Sequence, residues 1–196
     1  MKIVLATRNP GKIAELRRIL AGFEIVGLEE FPEIGEVAET GVTFEENALL
    51  KAHAVANGSG LPAVADDSGL CVDVLNGMPG VFSARWSGRH GDDQANLDLL
   101  LAQLSDVPAE KLSAHFACAA ALALPSGEHR VVEGTLPGHL ITTPRGTNGF
   151  GYDPILVPLG HDRTTAELSP DEKDAISHRG RAFRALAPIV RDIVGS

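Results

Sequence analysis

Leu61-Pro62-Ala63-Val64-Ala65-Asp66-Asp67-Ser68-Gly69-Leu70-Cys71-Val72-Asp73-Val74-Leu75 decides how this chain is read. Two short apolar runs flank two adjacent carboxylates and a Ser-Gly pair. Ala63-Val64-Ala65 has the composition of the end of a buried strand, and Leu70 to Leu75 that of the next one. Side chains on a regular strand alternate between faces, so Asp66 and Asp67 reach one spot only if the chain bends there. Ser68-Gly69 offers that bend, because glycine tolerates positive φ and serine bonds the local backbone. The expectation is a strand that runs out of the core, presents two carboxylates and turns. Such a place suits a hard cation: Mg2+ takes a few carboxylate oxygens, several waters and substrate phosphates. An acidic surface turn has the same composition, so this stretch alone leaves both readings open.

Just upstream, Thr43-Phe44-Glu45-Glu46 has the form of a capping box and predicts a helix after Thr43. Phe44, Ala48, Ala52 and Val55 form its apolar face, and Asn57-Gly58-Ser59-Gly60 stops it. Asn47 and Lys51, four apart, share a polar face. Glu39 precedes this helix, which leads straight to Asp66-Asp67. A third carboxylate could therefore reach the cation, although Glu39 by itself reads as a surface residue.

At the start, Lys2 to Ala6 reads as a short buried strand, followed by Thr7-Arg8-Asn9-Pro10-Gly11-Lys12. Asn9 is a good N-cap, Pro10 suits the first helical position, and Ile13, Leu16 and Leu20 have helical spacing. Strand, polar turn and helix make the usual context for an anion at a helix N-terminus. Lys12 falls in the first turn, where a cation opposes the helix dipole. A phosphate at the same point would reconcile the two, although the spacing is not that of a Walker A loop. Ser177-His178-Arg179-Gly180 repeats the pattern before a helix with Phe183, Leu186, Val190 and Ile193 inward. Two helix starts loaded with cations, with carboxylates between them in sequence, suggest an anionic ligand bridging the pieces.

The remaining segments are more ordinary. Phe23 to Leu28 reads as a strand and Glu29 to Val42 as an acidic loop. Asp93 can cap a helix carrying Leu97, Leu100, Leu101 and Leu104. His115 to Leu124 and Arg130 to Gly134 read as a hairpin around Pro125-Ser126-Gly127. Gly146 to Pro154 is glycine-rich around Phe150 and Tyr152, which brings backbone close to a flat ligand or simply caps a core. Ser169-Pro170-Asp171-Glu172 is a further helix start.

The chain of 196 residues suits one well-buried domain, 1–196, with room for an inserted lobe. Its net charge of -9 argues against nonspecific binding to nucleic acid or an anionic membrane. Polyphosphate binding then requires gathered Lys and Arg, or a metal. Cys71 and Cys118, the two cysteines, sit in apolar runs, which suggests reduced thiols and a cytoplasmic setting. There is no zinc-ligand spacing. The longest apolar run, Phe116 to Leu124, is too short for a membrane span. Met1-Lys2 leads directly into a strand pattern, leaving no room for a signal peptide.

Five motifs, in order, resemble the Ham1-like family of inosine triphosphate pyrophosphatases. They are Thr7-x-Asn9-x-x-Lys12; Glu39-Thr40-Gly41-x-Thr43-Phe44-x-Glu46-Asn47-Ala48-x-x-Lys51-Ala52; Ala65 to Leu70; Gly149 to Pro154; and Ser177 to Gly180. Asn148 and Trp86 depart mildly from the family pattern, which favours Gly and Tyr there. The resemblance implies an α/β fold with a long mixed central sheet, flanking helices, and two lobes around a substrate cleft. It implies a homodimer that hydrolyses nonstandard purine nucleoside triphosphates (ITP, dITP, XTP) to the monophosphate and pyrophosphate, cleansing the nucleotide pool. By the same resemblance Thr7, Arg8, Asn9, Pro10, Gly11 and Lys12 would cradle the triphosphate and Lys51 would neutralise it. Glu39, Asp66 and Asp67 would hold one or more Mg2+ ions, with Asp67 the general base, and Ser68 would touch the substrate. Phe150, Gly151, Tyr152 and Asp153 would line the nucleoside pocket, Lys173 would approach the nucleotide, and His178 with Arg179 would read the base edge.

This matches what phosphoryl transfer requires: positioning, charge neutralisation and an activated water. A carboxylate bound to Mg2+ is a poorer base, so Asp67 as ligand and Asp67 as base remain distinct possibilities. Two rivals stand beside this reading. A phosphomonoesterase with an aspartyl nucleophile would need a setting such as DxD, which Asp66-Asp67 lacks. A nucleotide-binding sensor would bind without turnover.

Overall fold

The computed structural model describes residues 2–194; Met1, Gly195 and Ser196, the ends of the expected 1–196 domain, lie outside them. Twelve helices and strands position the side chains that matter. In chain order these are β1 (Lys2–Leu5), α1 (Pro10–Ile19), β2 (Glu24–Val26), α2 (Phe44–Ser59), β3 (Ala63–Val72), β4 (Met78–Pro79), α3 (Asp93–Gln103), β5 (Ser113–Ala123), β6 (His129–Leu140), β7 (Leu156–Pro158), α4 (Pro170–Ile176) and α5 (His178–Val194). The sheet runs β2-β1-β3-β5-β6-β7, with β4 paired to β3. It is mixed: β1 is parallel to β2 and β3, whereas β3–β4 and β6–β7 are antiparallel.

The helix starts follow local chemistry. Asn9 accepts from the Lys12 N–H and Pro10 opens α1. Ser169 and Glu172 form a reciprocal capping box on α4. At α2 the box is displaced: Thr43 accepts from the Glu46 N–H, but Glu46 reaches back to the N–H of Val42. Gly60, at φ 67°, ends that helix in the left-handed conformation that glycine adopts without Cβ strain. The cap of α3 is Asp92, one residue before the expected Asp93.

The chain divides into two compact units. The first takes the chain up to Asp67, Cys118–Gly134 and the chain from His178 onward; the second takes Ser68–Ala117 and Thr135–Ser177. The first unit has an apolar cluster on each side of its sheet. On one side Ile3, Leu5, Val64 and Cys118 meet Leu16 of α1 and Phe183, Leu186 and Val190 of α5. On the other, Val4, Ala63, Ala65 and Ala119 meet Ala48, Ala52 and Val55 of α2. Alanine predominates on the α2 side, so helix and sheet approach closely. The second unit has its own core, with Leu70, Leu100, Phe116, Tyr152 and Leu156 among its members. Burying one such Leu or Phe contributes about 1.5–3 kcal/mol, so each unit can be held by its own cluster. Both cysteines are free and buried. Among the described residues, no helix is long and apolar enough to cross a membrane.

One expectation fails here. Residues 63–72 form a single uninterrupted strand, not two strands joined by a bend at Ser68-Gly69. Gly69 serves closeness instead of turning: a Cβ there would lie 2.3 Å from the Gly80 carbonyl oxygen and 2.4 Å from Ser83 Oγ.

Candidate active site

An unbroken β3 sends its two carboxylates to opposite faces, as strand alternation requires. Asp66 follows Val64 onto the α1/α5 side and Asp67 follows Ala65 onto the α2 side. Asp66 Oδ2 lies 3.0 Å from Lys12 Nζ and accepts from Arg179 Nε at 3.2 Å. Asp67 Oδ1 accepts from Lys51 Nζ and its Oδ2 from Asn47 Nδ2, both at 3.1 Å. The two aspartates thus have separate hydrogen-bond partners, although the charges of Lys12 and Lys51 act on both.

On the Asp66 side, the cations at the starts of α1 and α5 find a protein anion. Arg179 also donates through Nη1 to Glu15 Oε2 of α1. The bridging anion inferred from Lys12 and Arg179 is therefore, in this structure, Asp66 of the strand together with Glu15 of α1. Burial alone would raise the Asp66 pKa, but the charges of Lys12, Arg179 and Lys51 outweigh it and hold the carboxyl well below its usual range. Burial works against the Arg179 charge too, and Asp66 and Glu15 more than offset it. The Arg179 side chain is 2% exposed, and these two donor nitrogens are spent on carboxylates. That places Arg179 in an ion-pair network inside the first unit, where the sequence reading had it at a base edge. Glu15 was not foreseen. Its signal was its place three residues after Lys12 on the same helix.

On the Asp67 side, Lys51 Nζ is shared by Asp67 and Glu39, the latter at 2.8 Å. Asn47 is fully buried; it donates to Asp67 and accepts from the Gly41 N–H at 2.8 Å. One amide thereby fixes both Asp67 and the loop that carries Glu39. Gly41 lets that loop come close, since a Cβ there would sit 2.7 Å from Asn47 Oδ1. Burial pushes the Asp67 pKa up, Lys51 opposes this, and Glu39 adds to it. Burial lowers Lys51, but Asp67, Asp66 and Glu39 raise it further, so the ammonium stays charged. The single cation stabilises itself on two carboxylates while Asp67 remains reluctant to ionise. Two hard oxygen donors on one positive charge fit Mg2+, which commonly takes one or two carboxylates. Among the described residues, no group of three His, Cys, Asp or Glu could hold a metal ion.

The start of α1 is an open polar turn. Asn9 N donates to Thr7 Oγ1, and Arg8, Asn9 and Pro10 are exposed. Arg8 Nη2 also ties the turn to the Ile34 carbonyl at 2.7 Å. Gly11 and Lys12 complete the first helical turn.

In the second unit, Lys173 is buried with its Nζ 2.6 Å from Asp153 Oδ2 and 5.1 Å from the Phe150 ring centre. Asp153 also accepts from the Phe150 N–H and from Thr165 Oγ1, both at 2.8 Å. Gly149, at φ +77°, fits because a Cβ would overlap Asp153 Oδ2. Gly151 donates its N–H to Asp93 Oδ2 at 2.9 Å, which gives Asp93 a task other than the cap. The Tyr152 ring belongs to the core, and its hydroxyl donates to the Ser83 carbonyl at 2.9 Å. Burial first, then Asp93, keeps that phenol protonated. Tyr152 thus follows the core-capping alternative, and what it can offer outward is backbone. Asn148 secures the same loop through the Leu168 carbonyl at 2.9 Å. Ser68 is half-buried on β3, and His178, buried, opens α5.

Fold and site define a class: an α/β protein with a mixed sheet, an open helix start and two carboxylates held on one ammonium. The chain belongs to the Ham1 family, whose sequence model matches residues 3–189. It is 68% identical to a dITP/XTP pyrophosphatase of Streptomyces avermitilis, over 99% of each chain. It is 55% identical to the protein so described from Mycobacterium tuberculosis, covering 98% of this chain and 96% of that one. A crystal structure of the nucleoside-triphosphatase or dITP/XTP pyrophosphatase of Mycobacterium abscessus, 59% identical, matches 97% of this chain and 100% of its own with a TM-score of 0.78. The Staphylococcus aureus Ham1 protein, 40% identical, matches 98% and 99% with a TM-score of 0.87.

Proposed function

We propose that this protein hydrolyses dITP, ITP and XTP to the nucleoside monophosphate and pyrophosphate, the whole chain serving as one catalytic domain. The observation that carries the reading is the Glu39–Lys51–Asp67 cluster, in a chain 68% identical along its length to a dITP/XTP pyrophosphatase. Burial makes Asp67 a stronger proton acceptor than an ordinary aspartate, which suits a general base toward water. Asn47 holds the second Asp67 oxygen, so the carboxylate cannot rotate freely. Mg2+ would be held by Glu39 together with Asp67, at some cost to the basicity of Asp67, and would supply charge neutralisation for the phosphates and a more acidic water. Lys51 adds a positive charge for the triphosphate, and the start of α1, Thr7 to Lys12 with Arg8, Asn9 and Pro10 exposed, takes the phosphates at the positive end of the helix dipole. Ser68 supplies a substrate contact. Asp66 is assigned a different task from the one expected: it anchors Lys12 and Arg179, not the metal. Phe150 to Asp153 and Lys173 take the nucleoside, and His178, which opens α5, is assigned to the base edge. The enzyme works as a cytoplasmic homodimer.

A substrate panel tests this reading. Pyrophosphate release should be fastest with dITP, ITP and XTP, slow with dATP and dGTP, abolished by EDTA and restored by Mg2+. Equal rates across the panel would remove the selectivity, and EDTA-resistant turnover would remove the metal.

A further inference from the structure

His53 on α2 and His129 at the start of β6 face each other, with Nε2 of the first 3.2 Å from Nδ1 of the second. The rings are edge to face, 5.0 Å between centres. Their elements rest on one apolar cluster, which includes Val55 and Ala56 of α2 and Val131 of β6. We propose that His53 and His129 form a bidentate site for a borderline transition-metal dication, Cu2+, Ni2+ or Zn2+, separate from the hard-cation site of Glu39 and Asp67.

The distance makes the case. Two imidazole nitrogens on one metal each lie about 2.0–2.1 Å from it, which puts them about 2.9 Å apart at a right angle and about 3.4 Å apart at a tetrahedral angle. The observed 3.2 Å falls between these. In the metal-free pair one ring donates N–H to the other. Ligation needs each ring to swing by about 40° and the donor ring to carry its hydrogen on its other nitrogen. Two neutral rings then bind without losing a proton. His53 is half-buried and His129 exposed, so water can fill the remaining positions. Burial and His129 together lower the His53 pKa, which keeps its ring neutral and ready to ligate. The neighbouring carboxylate, Glu128, is engaged by Arg130 at 2.8 Å, and Arg130 also donates to the His129 carbonyl. The donor set is therefore imidazole, which suits borderline metals and not Mg2+.

The test uses the full-length, tag-free protein with half an equivalent of Cu2+, the tightest binder of the series. Electron paramagnetic resonance should show coupling to two imidazole nitrogens per copper. His53→Gln and His129→Gln should each lose that pattern and weaken binding by about tenfold or more, since the second ligand acts at high effective concentration. Ni2+ should raise the Tm of the wild type and leave both variants unmoved; their Tm without metal reports whether they fold. Copper held equally by the wild type and both variants, or coupling to one nitrogen, overturns the site. The hydrolytic reading is untouched by either result.

Discussion

Asp66→Asn and Asp67→Asn change neighbouring residues in the same isosteric way and should have opposite consequences. Asp66 has a fully buried side chain, with Lys12 Nζ at 3.0 Å and Arg179 Nε at 3.2 Å. At an effective dielectric constant of about 20, each contact is worth about 5 kcal/mol before desolvation. Asparagine removes the carboxylate charge from both Lys12 and Arg179, while the Glu15 contact of Arg179 stays in place. Arg179, 2% exposed, cannot turn to water, whereas Lys12, 14% exposed, partly can. The expected loss is about 3–5 kcal/mol, the usual cost of breaking a buried pair from one side. For a chain of this size that is roughly 6–20 °C in Tm. Asp67 is the reverse case, because its burial already opposes ionisation and Lys51 keeps Glu39 when it is neutralised. Asp67→Asn should shift stability by no more than about 1 kcal/mol while kcat falls about a hundredfold or more. Urea denaturation of the metal-free proteins at constant m gives the first quantity and pyrophosphate release the second. A loss below about 1 kcal/mol in Asp66→Asn, or equal losses in the two variants, would refute the division of labour along β3.

Arg179→Lys should lower stability through the lost second donor to Glu15, and reduce kcat/KM for ITP and ATP together, leaving their ratio unchanged; a ratio narrowed about tenfold would return Arg179 to the base edge. The pH dependence of metal-free stability should separate the aspartates. Asp66 is depressed, so its contribution is present above the ordinary carboxylate pKa and lost as pH falls through its lower folded value. Asp67 is raised, so wild type gains on Asp67→Asn as pH falls through a point above the ordinary value; a flat difference between pH 7 and 4 would deny the raised pKa. Sedimentation at micromolar concentration should give twice the 20.6 kDa chain mass, and a fully active monomer would contradict the dimer.

What was legible in the sequence was local. Asn9, Thr43 and Ser169 announce helices because each cap bonds an N–H three residues on. Asn47 and Lys51 point together because four residues are one helical turn, and both reach Asp67. What was hidden depends on distant partners. Ser68-Gly69 reads as a turn, yet Gly69 is needed because Gly80 and Ser83 press against the strand. Lys12 and Arg179 were recognisably misplaced against the helix dipole, but their protein anion, Asp66, lies 113 residues from Arg179. Tyr152 sits among glycines in the sequence, and only the Ser83 carbonyl, 69 residues away, fixes its hydroxyl inside the core.

The most direct measurement is the product balance for dITP with the wild-type protein and Mg2+. The account predicts one pyrophosphate for each dIMP formed, with no orthophosphate. Orthophosphate with dIDP or deoxyinosine, or saturable dITP binding with no product, would contradict it.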